Sequence, residues 1–253
     1  YIAWQDTGKR RMWLPIGRLD ADTQQSYYVF RYTRGGERAQ KECGFSPLDA
    51  FPVLREAYES SELFPFFTNR IVDSNRPSFK YHLERLDYSQ GAPDPIELLS
   101  VSEGRRATDS FEVFPKVERA ADGRFKMKFF LHGWRHVNPM ALHRMESLKP
   151  GESLNVSLEL TNPATRLGIQ ILSGDYVMLG WSPRYLLEDL VEVISKGGCK
   201  VEAHIVRYNP PPAPPGQRLL VCFTGCWPEG FQPMSGPDFQ ALVEMPTLTH
   251  VAP

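Results

Sequence analysis

Hydrophobic and polar positions alternate most regularly between Leu131 and Leu190. Val156, Leu158 and Leu160 alternate with Ser157 and Glu159. A period of two predicts a strand with one buried face. Pro150-Gly151 turns the chain into that strand. Ile169 and Ile171 alternate again, Ser173-Gly174-Asp175 turns, and Tyr176 to Leu179 runs apolar. Ser182-Pro183 then offers a helix N-cap and a proline at the first helical position. Leu186, Leu187 and Leu190 follow at helical spacing, with Glu188 and Asp189 on the opposite, solvated face. The predicted order is strand, turn, strand, hairpin, strand, capped helix.

The first half carries its own pattern. Trp13 to Leu19 reads as a strand, Asp20 to Gln25 as a polar turn, and Ser26 to Thr33 as a returning aromatic strand. Gly35-Gly36 and Gly44 mark loops. Phe51 to Phe67 is apolar and aromatic, broken by Pro52 and Pro65, and its Phe64, Phe66 and Phe67 are core candidates. Phe79, Leu83 and Leu86 share helical spacing. A domain boundary is expected between Pro115 and Gly123, ahead of a strand from Phe125 to Leu131. The Pro-rich stretch from Pro210 to Gly216 predicts a stiff loop between the strands Val201 to Tyr208 and Arg218 to Phe223. From Phe231 to Pro253, including Thr-Leu-Thr-His at 247–250, no period is evident; this tail is expected to be mobile or to dock on a partner.

Composition narrows the function. The chain has 253 residues, enough for two domains with buried cores. A net charge of -1 provides no global basic field for nucleic acid, which leaves a local patch. No apolar run approaches the length of a membrane span, and no signal peptide is expected. Four cysteines in a chain this long do not make a disulfide framework, so a cytoplasmic, reducing setting is the expectation.

The joints of the 131–190 segment resemble those of the HIRAN domain, a small β-barrel module found on DNA-repair ATPases and in prokaryotic proteins. Gly133-Trp134-Arg135, Pro150-Gly151, Asn162-Pro163 and the step from Gly180 to Arg184 carry the likeness, which extends over about residues 125 to 229. After Asn-Pro, family members that hold DNA usually carry Tyr-Asp and then Asn-Ala; this chain has Ala164 to Gly168 there. Gly17 to Leu19, Tyr28 to Tyr32, Phe45 to Leu48 and Phe66 to Arg70 are similar to the N-terminal subdomain of HipA-type toxin kinases, a non-catalytic piece that in some systems is a separate protein restraining the kinase. The two resemblances imply a β-rich α+β chain. A small mixed β/α domain over 1–115 precedes a HIRAN-like β-barrel with one or two helices over 124–229, and a tail over 230–253.

Catalytic chemistry finds little footing. There is no Gly-rich phosphate loop, no His-Arg-Asp loop and no Gly-x-Ser-x-Gly elbow. Cys222-x-x-x-Cys226 with Cys199 and His204 suggests zinc, but Cys222 also alternates as a small buried hydrophobe would. His132-x-x-x-His136, with His143 nearby, has helical metal-pair spacing but starts at a strand end. Arg105-Arg106 beside Asp109 reads as a solvated loop. No metal, cofactor or catalytic residue is expected. What remains is a recognition set. The HIRAN resemblance marks Arg135, His136, Asn162, Trp181 and Arg184: an aromatic face for a base, cations for phosphate, and polar groups for an edge or end. The expected function is a non-catalytic, DNA-binding accessory subunit of a prokaryotic nucleic-acid-processing or defence complex, for single strands or DNA ends. The alternative is a subunit that restrains or scaffolds a partner such as a kinase, helicase or nuclease.

Overall fold

The computed structural model describes residues 1–8, 11–88, 94–163, 165–196 and 199–244. Along the chain run β1 (Ile2–Gln5), β2 (Trp13–Asp22), β3 (Tyr27–Tyr32), α1 (Arg34–Cys43), β4 (Ala57–Ser60), α2 (Pro65–Thr68), α3 (Phe79–Arg85), α4 (Pro95–Val101) and β5 (Phe111–Val113). They are followed by β6 (Arg124–Phe130), α5 (Pro139–Glu146), β7 (Ser153–Asn162), β8 (Arg166–Leu172), β9 (Met178–Trp181), α6 (Leu187–Lys196), β10 (Glu202–Tyr208) and β11 (Leu219–Cys226). The strands form two antiparallel sheets, β4-β3-β2-β1-β5 and β6-β11-β10-β7-β8-β9. The class is α+β. No helix among the described residues is long and apolar enough to cross a membrane.

The chain divides into two compact units, and the division is not linear. Residues 1–70, 103–114 and the segment from Ser235 form one; residues 71–102 and 115–234 form the other. This differs from a single cut between Pro115 and Gly123. Residues 71–102 belong with the second sheet because Leu86 of the α3 end and Leu98 of α4 bury against Phe130 and Leu220. The described part of the tail docks in the first unit: the Leu242 N–H donates to the Tyr32 carbonyl at 2.9 Å, and Thr33 bridges Ala241. Residues 247–250 lie outside the described residues.

In the first unit, β2 runs on through Asp22, beyond the turn expected from Asp20. Asp20 lies opposite Val29 and its carboxylate takes Arg31 at 2.6 Å, so ion pairing holds this polar stretch in the sheet. Gly35-Gly36 is the second departure. These glycines lie inside α1, buried, because a Cβ on Gly35 would collide with the Pro15 carbonyl and one on Gly36 would sit 2.6 Å from the Ile16 carbonyl. They allow the helix to lie directly on β2. Phe30, Phe51 and Phe67 fill the core, with Phe30 and Phe51 stacked at 4.0 Å. Phe64 and Phe66 ring the same cluster, edge-on to Phe51. Arg105 is not free in a solvated loop: it pairs with Glu103 at 2.9 Å and Glu112 at 2.6 Å, both buried.

In the second unit the alternation of Ile169 and Ile171 holds, at 1% and 0% exposure, as does the strand β7. Leu160, however, is 73% exposed, at the register shift of β7 between Glu159 and Asn162. Ser182 does not cap a helix. Its N–H still pairs with the Ile169 carbonyl at 3.0 Å, Pro183 is extended, and a 3-10 turn (Arg184–Leu186) precedes α6. Asp189 is not on a solvated face: it is buried, and its carboxylate accepts the Met234 N–H at 2.9 Å. Cys199 and Cys226 form a disulfide, which removes two of the four proposed zinc ligands, and Cys222 is fully buried as a hydrophobe would be.

Candidate nucleic-acid interface

The site is built where the two ends of the second sheet meet. Two residues beyond β6, His132 exchanges two backbone hydrogen bonds with Trp181 of β9, at 2.9 and 3.0 Å. The next residue, Gly133, turns with φ 72°. A Cβ there would run into the benzo edge of the Trp181 indole, so the glycine is the seat on which the ring rests. One 3-10 turn (Trp134–His136) follows and leaves Arg135 and His136 exposed. The Arg135 guanidinium lies 5.9 Å from the centre of the Trp134 ring.

The other edge of the indole is held from β7. Trp181 Nε1 donates to Glu159 Oε2 at 2.6 Å, and Asn162 Nδ2 donates to the same oxygen at 2.7 Å. Asn162 Oδ1 accepts the backbone N–H and the hydroxyl of Thr165, at 3.1 and 3.0 Å. Gly168 lies opposite Glu159, and a Cβ on it would stand 3.1 Å from Glu159 Oε2 and 3.3 Å from Trp181 Cδ1. The bulge in β7 and a small residue on β8 thus let carboxylate, amide and indole converge. Arg166, exposed and at φ 65°, pairs with Asn162 across the turn.

Of the five residues marked by the sequence, Asn162 and Trp181 are joined through Glu159. Arg135 and His136 sit in the turn that starts on the glycine beneath the indole. Arg184, half-buried, opens the 3-10 turn three residues beyond Trp181. Glu159 and Gly133 were not marked as a clamp and a seat, nor Arg166 as a neighbouring cation. Glu159 read only as the polar half of an alternating strand. Its reach to Trp181 crosses the intervening strand β8, and no local signal carries it.

A half-buried indole fixed at both edges presents an aromatic surface whose orientation is set before any ligand arrives. The Glu159 carboxylate accepts both hydrogen bonds and offers nothing to a phosphate. The exposed Arg135 and Arg166 supply the opposite charge. The arrangement suits a planar group on the indole with its anionic part turned toward the arginines.

No protein-family model matches the chain, and no curated protein does. Among solved structures, a protein from Lactobacillus plantarum is similar at 15% identity and a TM-score of 0.32, over 41% of this chain and 99% of that one. The HIRAN domain of human HLTF is similar at 12% identity and a TM-score of 0.33, over 44% of this chain and 84% of that one.

Proposed function

We propose that the second unit is a non-catalytic module that binds a single-stranded DNA segment or end, with the whole chain acting as an accessory subunit of a larger prokaryotic assembly. The observation that carries this reading is the Trp181 indole, seated on Gly133 and clamped by Glu159, next to the exposed Arg135 and His136. The HIRAN-like motifs in the sequence mark the same joints. The meeting of the sheet's ends at His132 and Trp181 also favours the barrel that those motifs imply. Aromatic stacking is tolerant of base identity, and phosphate contact is tolerant of sequence; together they suit a reader of strand rather than of sequence.

Fluorescence anisotropy with labelled oligonucleotides at several salt concentrations tests this. Trp181→Ala should weaken binding by ~1–3 kcal/mol. Arg135→Ala should weaken it on every sequence and reduce the salt slope by about one. Weaker binding to circular than to linear single strands would identify an end as the ligand. A folded protein that binds neither at low salt favours the second reading, a subunit that restrains or scaffolds a partner enzyme. That reading draws on two exposed apolar side chains, Met140 at 65% and Tyr176 at 74%. They lie on segments joined by Arg144 and Asp175 at 2.9 Å.

A further inference from the structure

The Cys199–Cys226 disulfide lies in an open cleft of about 540 Å³, among cations. Cys226 ends β11 and Cys199 stands just before β10; both are half-buried, with Cα atoms 5.7 Å apart. In the register of β6 on β11, Arg124 faces Cys226 and Lys126 faces Thr224. These two exposed side chains and Lys200, next to Cys199 in sequence, line the cleft with the sulfurs. Two carboxylates share it. Asp122 stands 3.5 Å from Arg124, and Glu202 lies across β11 from Lys126. Three cations against two anions leave the cleft with one net positive charge, and among the described residues Lys126 and Lys200 make no salt bridge.

Thiol–disulfide exchange needs access to sulfur and a leaving thiolate that its surroundings stabilise. Nearby lysines and arginines favour thiolate over thiol. The cleft meets both requirements. Cys222, four residues earlier on β11, meets neither: it is fully buried, and burial pushes its thiol upward. We propose that Cys199–Cys226 is a site of reversible exchange with a small anionic thiol, drawn in by Lys126 and Lys200. The thiolate of the incoming compound attacks Sγ of one cysteine. The S–S bond breaks, a mixed disulfide forms, and the other cysteine leaves as a thiolate facing the lysines. Attack by a second thiolate on the mixed disulfide releases the compound as its own disulfide. Both cysteines are then reduced, at the cost of two thiols oxidised.

The probes are glutathione, which is anionic, and 2-mercaptoethanol, which is neutral. Protein carrying Cys43→Ser, purified without reductant, is treated with each, quenched by alkylation and read by mass spectrometry. Glutathione should form the adduct on Cys199 or Cys226 and leave Cys222 untouched. In the Lys126→Glu/Lys200→Glu variant the rate with glutathione should fall several-fold further than that with 2-mercaptoethanol, which loses the stabilisation of the leaving thiolate but not the attraction for a carboxylate. High salt should abolish the difference between wild type and variant. The neutral thiol guards against misfolding, since a loosened cleft would speed both reactions. Free thiols at Cys199 and Cys226 after purification without reductant overturn the proposal. So does a ratio of the two rates that is the same in wild type and variant, or a disulfide inert to both thiols in the folded protein.

Discussion

Single residues carry the site's geometry and the chain's response to pH. Gly133 combines φ 72° with a position against the Trp181 ring. Gly133→Ala should therefore cost about 1–3 kcal/mol, lower the melting temperature and shift indole emission, because the ring loses its seat. Asp189 and His82 act in opposite directions. Burial pushes the Asp189 carboxyl from 3.8 up to about 6, partly offset by the N–H of Met234. The folded state holds that proton more tightly than the unfolded chain, so this group's contribution is present below pH 3.8 and is lost as pH rises through about 6. Burial, and after it the charge of Arg85, lowers His82 from 6.5 to about 4. Its contribution is present above pH 6.5 and is lost as pH falls through about 4. The two slopes oppose one another over the same window. Asp189→Asn keeps an oxygen for the Met234 N–H and removes the buried charge. It should stabilise the protein at pH 8 by on the order of 2 kcal/mol, with no gain near pH 4. Thermal melts from pH 4 to 8 would check this; an equal gain at both ends would refute the assignment to ionisation.

At the scale of elements, the packing of α1 on β2 depends on Gly35 and Gly36, where the helix backbone lies against strand carbonyls. Gly35→Ala raises intrinsic helix propensity and should still destabilise the protein, by about 2–3 kcal/mol in denaturant titrations, since the added methyl meets a backbone carbonyl that has no room to move. The glycine pair had read as a loop because propensity alone disfavours it in a helix; the close approach that requires it is a tertiary contact. Helix α5 shows the opposite case. Asn138-Pro139 is a local start signal, and the Asn138 side chain accepts the Ala141 N–H at 2.8 Å. Asn138→Ala should cost about 1 kcal/mol. Ser182-Pro183 carries a similar signal and caps nothing, because the Ser182 N–H is already committed to β8. A cap signal is honoured only where the strand before it has released the chain.

For the whole molecule, the division of the chain makes a prediction about nicking. Turns near Asp122 and in the Pro210 to Gly216 loop are exposed and suit proteolysis. A cut near Asp122 should not release two separate pieces, because the first unit contains residues from both sides of it, joined at Thr33 to Ala241 and at Tyr32 to Leu242. Size-exclusion chromatography of the nicked protein should give one species that separates only in denaturant; two native fragments would contradict the assignment of the tail. Strand periods, the β8 and β9 hairpin and the loop between β10 and β11 were legible in the residues, since alternation and turn chemistry act over a few positions. The α+β class and the marking of Asn162, Trp181 and Arg135 came from the family resemblance that the residues at these joints carry, not from the alternation itself. Long-range contacts settled the rest: residues 71–102 covering Phe130, the tail joining the first unit, Asp189 turned inward, Cys199 linked to Cys226, and Glu159 reaching the indole across β8. These pairings join positions far apart in the chain, and their free energy comes from burial and convergence that no short window of sequence contains.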